Sequence, residues 1–146
     1  MNNIPIKPVI AKEILPVLAK EFETECREAY GEYSLFLPPE KGSGSISGIN
    51  FPNGVGLYKF DVEFSQDQCF DYCSEEVHPF KFVYLIQGKL QHRFSNEDIK
   101  HKFDEGQMVI IGANHKSGNK ILFPGNLRIK AVILDVDRKR FVNQLT

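Results

Sequence analysis

Histidine and cysteine are the residue types in this 146-residue chain most able to do chemistry, and it has four and three of them. A metal-dependent barrel enzyme needs two or three imidazoles and a carboxylate that converge on one ion. Three residues after His78 the chain carries Lys81, a cation where a carboxylate ligand would be wanted. No His-x-His pair is formed by the four histidines, which are His78, His92, His101 and His115. We therefore predict no metal site and no cofactor.

The cysteines do not supply a metal site either. On a strand, Cys69 and Cys73 would lie on one face about 13 Å apart, too far to share one ion. Three cysteines, counting Cys26, are an odd number, and the N-terminus has no apolar signal segment. Free thiols in a reducing, cytoplasmic setting are the expectation. No stretch approaches the ~18 apolar residues of a membrane span, so we expect no membrane contact.

The sequence also lacks the motifs of a serine nucleophile and of a phosphate-binding loop. No serine lies in a Gly-x-Ser-x-Gly elbow, and the glycine-rich segment 38–56 lacks the Gly-Lys-Ser/Thr of a phosphate-binding loop. The formal net charge is −1, and the basic residues are scattered. Binding to a nucleic-acid backbone requires clustered cations, so this chain is not expected to bind DNA by itself. The sequence predicts a protein that is not an enzyme.

The elements that must position any site are strands. Apolar residues alternate with polar ones over 58–64, and turn residues recur about every ten positions from residue 54 onward. This pattern indicates some eight strands in an antiparallel sandwich or barrel. The apolar run 80–86 suits a strand covered on both faces, and 127–136 is the longest predicted strand.

Helical periodicity is confined to the two ends. Residues 9–30 place an apolar row at i, i+4 spacing, which Pro16 should kink or restart near Leu15. After Asp137, a possible N-cap, Phe141 and Leu145 stand four apart. The two turns that remain are too few for a stable helix. We expect more protein to follow.

A barrel with aromatic and polar side chains aimed inward could bind a small molecule. The candidate ligand-binding residues are Tyr58, Phe60, Phe82, Tyr84 and His92. The alternative for each is a place in a packed core, and for His92 a buried position with a local hydrogen bond.

Several turn and strand motifs together resemble a known family. Leu-Pro-Pro-x-x-Gly-x-Gly-x-Ile-x-Gly-Ile-x-Phe-x-x-Gly-Val-Gly-Leu spans Leu37–Leu57, and Glu-Val-His-Pro-Phe-Lys-Phe precedes Gly88. Asp-Glu-Gly-Gln at 104–107 and Asp-Val-Asp-Arg-Lys-Arg-Phe at 135–141 follow. From about residue 35 onward the chain resembles the N-terminal domain of AraC-family transcriptional regulators, and most of all the branch that contains the pyochelin-receptor regulator.

The resemblance implies a mainly β fold, a cupin-like antiparallel β-barrel (jelly roll) with an N-terminal helix. The implied division is a helical segment 1–37, a barrel 38–136 and the start of a dimerisation helix 137–146. The barrel would sense a small-molecule effector. The chain would form a homodimer, with Phe22, Phe141 and Leu145 as candidate contacts. DNA would be bound only by a helix-turn-helix domain that is absent from this chain.

Two alternatives stay open. Catalytic cupins carry a His-x-His-x3,4-Glu pattern ahead of the Gly88 position, and residues 74–81 do not supply it. A small metal-dependent cupin enzyme, an isomerase or dioxygenase, is nevertheless the first alternative. The second is a cupin domain that only dimerises.

Overall fold

A computed structural model describes residues 1–74, 78–112 and 118–139. Within these residues it is mainly β, as predicted, with one complete helix, α1 (Ala11–Glu21), and helical backbone again at 138–139, where a C-terminal helix was predicted to start. The first six strands are β1 (Asn2–Ile6), β2 (Arg27–Ala29), β3 (Glu32–Phe36), β4 (Gly42–Asn50), β5 (Val55–Phe64) and β6 (Gln68–Tyr72). The other six are β7 (Phe80–Gln87), β8 (Leu90–Phe94), β9 (His101–Phe103), β10 (Met108–Ile111), β11 (Asn119–Phe123) and β12 (Arg128–Val136).

The strands form two sheets that share one hydrophobic core. The five-stranded sheet has the order β1-β6-β11-β8-β9, and the seven-stranded sheet has the order β10-β7-β12-β5-β4-β3-β2. Pairing is antiparallel as predicted, with one exception among the described strands. β1 runs parallel to β6, from Asn2 opposite Gln68 to Ile6 opposite Tyr72. A parallel partner is available because β1 and β6 lie far apart in the chain, with room for a long connection.

Alternation along β12 shows how the sheet faces the core. Its buried residues occur at every second position, and the positions between them are half-buried. This period of two places one row of side chains in the interior and the other on the outside of the sheet. β12 lies between β5 and β7, and so is an interior strand of the larger sheet.

The prediction that residues 80–86 are covered on both faces is wrong. In β7, Lys81, Val83 and Leu85 are buried, whereas Tyr84 and Ile86 are 43% and 50% exposed. Its apolar residues alternate between the core and the outer face, where the Arg138 guanidinium lies 4.0 Å from the centre of the Phe80 ring.

The N-terminal helix is shorter than predicted. It ends at Glu21, and Glu23 takes a left-handed backbone conformation (φ 56°), so the chain leaves the helix before Cys26. Pro16 lies inside α1 without interrupting it. It is on the exposed side of the helix, as is Lys12, whose carbonyl loses its hydrogen-bond donor and can be hydrated. No helix among the described residues could cross a bilayer.

Strands also occupy part of the predicted helical segment 1–37 and part of the glycine-rich segment 38–56. β1, β2 and β3 fall within 1–37 and pair with the barrel sheets, and β4 falls within 38–56. The glycines of β4 are needed for close approach. A Cβ at Gly42 or Gly44 would lie about 2 Å from a carbonyl oxygen of β5, and both have positive φ (137° and 104°).

Candidate functional site

Part of the barrel interior is filled by a cluster of phenylalanine rings. Phe70 lies 4.9 Å from Phe123 between ring centroids, Phe60 lies 5.1 Å from Phe123, and Phe22 stacks on Phe64 at 5.4 Å. Such contacts stabilise the core through apolar burial and favourable ring geometry. Phe22, a candidate dimer contact, is 1% exposed, so in this structure it packs in the core and faces no partner. Phe141 and Leu145 lie outside the described residues.

The five candidate ligand-binding residues are divided between two faces. Tyr58, Phe60 and His92 are buried inside, at 5%, 3% and 3% exposure. Phe82 and Tyr84 alternate with the core residues of β7 and point to the outer face. The structure therefore brings three of the five into the interior and places two outside it.

At one end of the interior lies a buried ion pair that the sequence analysis did not single out. Lys81 Nζ donates to both carboxylate oxygens of Asp135, each at 2.9 Å, and the side chains are 3% and 6% exposed. They meet because residue 81 is opposite residue 135 in the β7–β12 register. The Tyr72 ring lies 3.9 Å from the same ammonium, in cation–π contact.

Burying the charges of Lys81 and Asp135 costs free energy. Burial raises the pKa of Asp135 above its usual range, and Lys81 opposes that rise through its charge and its hydrogen bonds. Removing two charges from water costs several kcal/mol for each ion, and the mutual attraction has to offset this cost. A sequence signal existed: one lysine within the apolar run 80–86 and one aspartate within 127–136.

The Tyr58 hydroxyl is a further buried polar group in the part of the interior that holds the ion pair. Its hydroxyl is buried and has no hydrogen-bond partner among the described residues. Burial raises the pKa of Tyr58, and the charges of Asp135 and Tyr72 raise it further, so the hydroxyl stays protonated and can donate. Gly48 makes room for the ring, because a Cβ there would lie 2.8 Å from Tyr58 Cδ1.

Next to the ion pair is a cavity of about 10 Å³, the size that holds one water molecule. It is lined by Ile6, Pro8, Val9, Ile14, Tyr72, Ser74, His78, Pro79, Lys81 and Asp135. Outside it lies an open groove of about 730 Å³, which shares Pro8, Val9 and Ser74 with the cavity. The segment between β1 and α1 thus forms part of the wall between a closed cavity and the surface.

His92 forms a separate buried polar contact. Its Nε2 lies 3.0 Å from Asn119 Oδ1, and the Phe94 ring packs edge-on at 4.7 Å between centroids. Burial lowers the pKa of His92, with a smaller lowering from His101 across the strand pair. The expectation of a buried histidine with a local hydrogen bond is confirmed; a ligand contact for His92 stays a prediction.

A third space opens at the start of β8. The cleft has a volume of about 480 Å³, an apolar floor that includes Leu90, Phe103 and Phe123, and a rim that carries Lys89, Lys100 and Lys102. Among the described residues, no carboxylate lies within ion-pair distance of these three lysines. Because all three are exposed, they are solvated surface charges in this structure.

The described residues do not fit a metal ion. Among them, no group of three or more histidine, cysteine, aspartate or glutamate side chains is placed to hold one. Burial raises the pKa of Cys69 and of Cys73, which keeps both thiols protonated and makes them poor ligands. At the buried carboxylate of Asp135, the cation is already the ammonium of Lys81.

No protein-family model matches the chain. Over 104 residues it is 28% identical to the tetracenomycin polyketide synthase protein TcmJ of Streptomyces glaucescens, which covers 68% of this chain and 65% of that protein. The chain thus spans a little under two thirds of the length of this curated relative.

Two solved structures illustrate the likeness in fold. A cupin 2 conserved barrel domain protein from Salinispora arenicola superposes with a TM-score of 0.50 at 11% identity, over 82% of this chain and 87% of that one. Oxalate decarboxylase from Bacillus subtilis gives 0.41 at 13% identity, over 80% of this chain and 28% of that one. The two facing sheets and the first of these likenesses agree: the chain is a mainly β protein with a cupin-like, jelly-roll fold.

Proposed function

We propose that the chain is a small-molecule-binding cupin domain that senses an effector, as in the AraC-family regulators that its sequence resembles. The observation that carries the proposal is the unpartnered, buried hydroxyl of Tyr58 beside the buried Lys81–Asp135 pair. A buried polar group without a partner costs free energy, and a ligand that pairs with it recovers that cost.

The chemistry of this region restricts the ligand. The Tyr58 hydroxyl donates, so the ligand presents an acceptor oxygen, either a carbonyl or a carboxylate. The cavity beside the Lys81–Asp135 pair is lined in part by Ile6, Ile14 and Tyr72, and Tyr58 is not among its lining residues. A compact aromatic or aliphatic body that carries such an acceptor group matches both features.

Entry of this ligand requires the wall of the cavity to move, because about 10 Å³ is too small for a metabolite. Residues 7–10 join two anchored points: β1 is paired with β6, and the Ala11 N–H donates to Asn50 Oδ1 at 2.6 Å. A change in the backbone conformation of residues 7–10 would join the cavity to the outer groove. The effector would then act by favouring one arrangement of the N-terminal segment, to the extent that it binds that arrangement more tightly.

In the proposed setting the domain belongs to a cytoplasmic bacterial regulator that acts as a homodimer. DNA contact would be made by a helix-turn-helix domain of the same regulator. Some basic residues of the described barrel form ion pairs, such as Arg128–Asp61 (2.7 Å) and Lys59–Glu32 (3.6 Å), whereas the cleft-rim residues Lys89, Lys100 and Lys102 do not.

A thermal-shift titration against metabolites that carry a carbonyl or carboxylate on an apolar body tests the proposal. We expect one class to raise the melting temperature by about 5–10 °C at a hundred times its dissociation constant. The same class should give a smaller shift in Tyr58→Phe and an unchanged shift in Tyr84→Phe, whose tyrosine is on the outer face. Equal shifts in all three proteins would place the ligand elsewhere, and no shift with any class would contradict the proposal.

A second candidate is a cupin enzyme, an isomerase or dioxygenase. It is favoured by the similarity to TcmJ, whose name connects it with polyketide synthesis. A metal-dependent member would hold iron, zinc or manganese in stoichiometric amounts. Such an ion in the purified chain would favour this candidate over the sensor.

A further inference from the structure

The cleft at the start of β8 opens on the outer face of the five-stranded sheet. On β8, Leu90 and His92 are buried inside, so Gln91 between them points outward. The register places Gln91 opposite Leu122 of β11 on one side and opposite Lys102 of β9 on the other. Because directly opposed residues share a face of the sheet, these three side chains form one row across the cleft.

The cleft and the buried ion pair are at opposite ends of β6. Asp67, which lines the cleft, immediately precedes this strand, whereas Tyr72, which contacts the Lys81 ammonium, ends it. At the rise of a strand, the interval from residue 67 to residue 72 spans about 16 Å. A ligand in the cleft would therefore occupy a different site from the effector proposed beside Tyr58.

Three lysines at the rim give the cleft its positive charge. Lys89, Lys100 and Lys102 are all exposed, and within the described residues none has a carboxylate at ion-pair distance. Two aspartates also line the cleft. Asp67 accepts a hydrogen bond at 2.7 Å from a backbone N–H of the turn before β12, and Asp104 is exposed. The positive side chains of the lining thus outnumber the negative ones, one of which already has a partner.

The same outer face is basic beside the cleft. Arg93 of β8 lies directly opposite Lys120 of β11, and like charges in this position destabilise a sheet. Asp98 lies 3.7 Å from Arg93, and Asp71 of β6 is opposite Lys120 in the register, so these two carboxylates offset part of the cost. They do not reach the rim lysines. An anion bound in the cleft would lower the electrostatic energy of this face.

We propose that this cleft binds a small organic anion, a carboxylate or phosphate group carried on an apolar body of about ten carbon atoms. The rim lysines would pair with the head group as point charges, which suits either anion. The body would lie against Leu122 and Pro124, which line the cleft. The volume of about 480 Å³ is in the range of small-molecule sites. The inference does not depend on effector binding beside Tyr58.

Isothermal titration calorimetry of the full chain with naphthoate and with naphthyl phosphate tests the proposal. Because the lysines are exposed, we expect a dissociation constant on the order of 100 µM for at least one probe. The tighter probe identifies the head group. Neutral naphthol and inorganic phosphate, which each lack one half of the ligand, should bind at least about 10-fold more weakly. Raising NaCl from about 20 to about 500 mM should weaken the binding of the anionic probe, since salt screens exposed charges.

Charge-removing variants assign the binding to the cleft. The double variant Lys89→Gln, Lys102→Gln should weaken binding about 10-fold. Its matched control is Lys12→Gln, Lys130→Gln, which removes the same charge from two lysines outside the cleft and should change the affinity little. Gln91→Trp fills the middle of the cleft without changing its charge and should abolish binding. Circular dichroism checks the fold of each protein.

Four results would overturn the proposal. The first is no binding of either anionic probe below about 5 mM. The second is equally tight binding of inorganic phosphate, which would mean an adventitious ion only, and the third is equally tight binding of naphthol. The fourth is an affinity that the folded cleft variants leave unchanged. If Tyr58→Phe weakens the same binding instead, the probe occupies the barrel interior, which would support the proposed effector site and reject this one.

Discussion

The aromatic part of the barrel interior and the part around the ion pair differ in what they bury. Around Phe70 and Phe123, rings fill the space with apolar contacts. Around Lys81 and Asp135, two charges are buried together, a tyrosine hydroxyl lacks a partner, and a water-sized cavity remains. The first part stabilises the fold, and the second keeps a buried hydroxyl without a hydrogen-bond partner. A ligand is therefore expected at the charged end.

The largest effect should come from opening the aromatic part. Phe70→Ala removes a fully buried ring that contacts Phe60, Phe64 and Phe123, and should lower the free energy of unfolding by about 4 kcal/mol. Urea unfolding followed by circular dichroism measures the loss. The exposed Phe36→Ala is the control and should change little. A loss below about 1 kcal/mol for Phe70→Ala would mean that this part is loosely packed.

Breaking the ion pair at the charged end should cost slightly less. Lys81→Met leaves the Asp135 carboxylate buried without its partner and should lower the free energy of unfolding by about 3 kcal/mol. The double variant Lys81→Met, Asp135→Leu should recover most of that loss, because an apolar pair needs no compensation. If the single and double variants are equally unstable, packing rather than charge explains the effect.

Removing the unpaired hydroxyl should have the opposite sign. Tyr58→Phe deletes a buried donor that has no partner, and should leave stability unchanged or raise it by up to about 1 kcal/mol. The stability of Tyr58→Phe is compared with that of Tyr72→Phe, which removes another tyrosine hydroxyl at the same end of the barrel. A loss of more than about 1 kcal/mol in Tyr58→Phe would show that the hydroxyl is satisfied in solution, and would remove the basis for a ligand contact there.

The smallest expected effect is the contribution of His92, which lies apart from the ion pair, to the pH dependence of folding stability. Its pKa in the folded chain is lowered by burial, whereas in the unfolded chain it is about 6.5. The unfolded chain thus binds the proton more readily, so stability is highest above pH 6.5 and falls as the pH drops below it. His92→Gln should lose less stability than wild type between pH 7.5 and 5.5. An identical pH profile would assign the dependence to other groups.

The sequence predicted the fold class better than the site. Period-two alternation identifies β5 and β12, because a strand with one buried face alternates strictly. The same logic failed for β7, where apolar residues continue across both faces and concealed an outer apolar surface. The glycines of β4 allow its backbone to approach β5 closely, a role that is visible only once the two strands are paired.

The charged end could be predicted only in part. Lys81 was noted as the wrong residue for a metal ligand, but its partner Asp135 is 54 positions away in sequence. The pairing depends on the register of β7 with β12, and a slip of either strand by one residue would turn its own charged side chain outward. Tyr58 was singled out correctly as an interior residue, whereas its lack of a hydrogen-bond partner is a tertiary property that composition does not encode.

The buried charge centre of this barrel is an ammonium–carboxylate pair, and we propose that it holds no metal ion. Dialysis of chelator-treated protein against Fe²⁺, Mn²⁺ or Zn²⁺, followed by measurement of the metal retained for each chain, tests it most directly. We predict retention far below one ion for each chain and an unchanged melting temperature. One tightly held ion for each chain, with a raised melting temperature, would contradict the account.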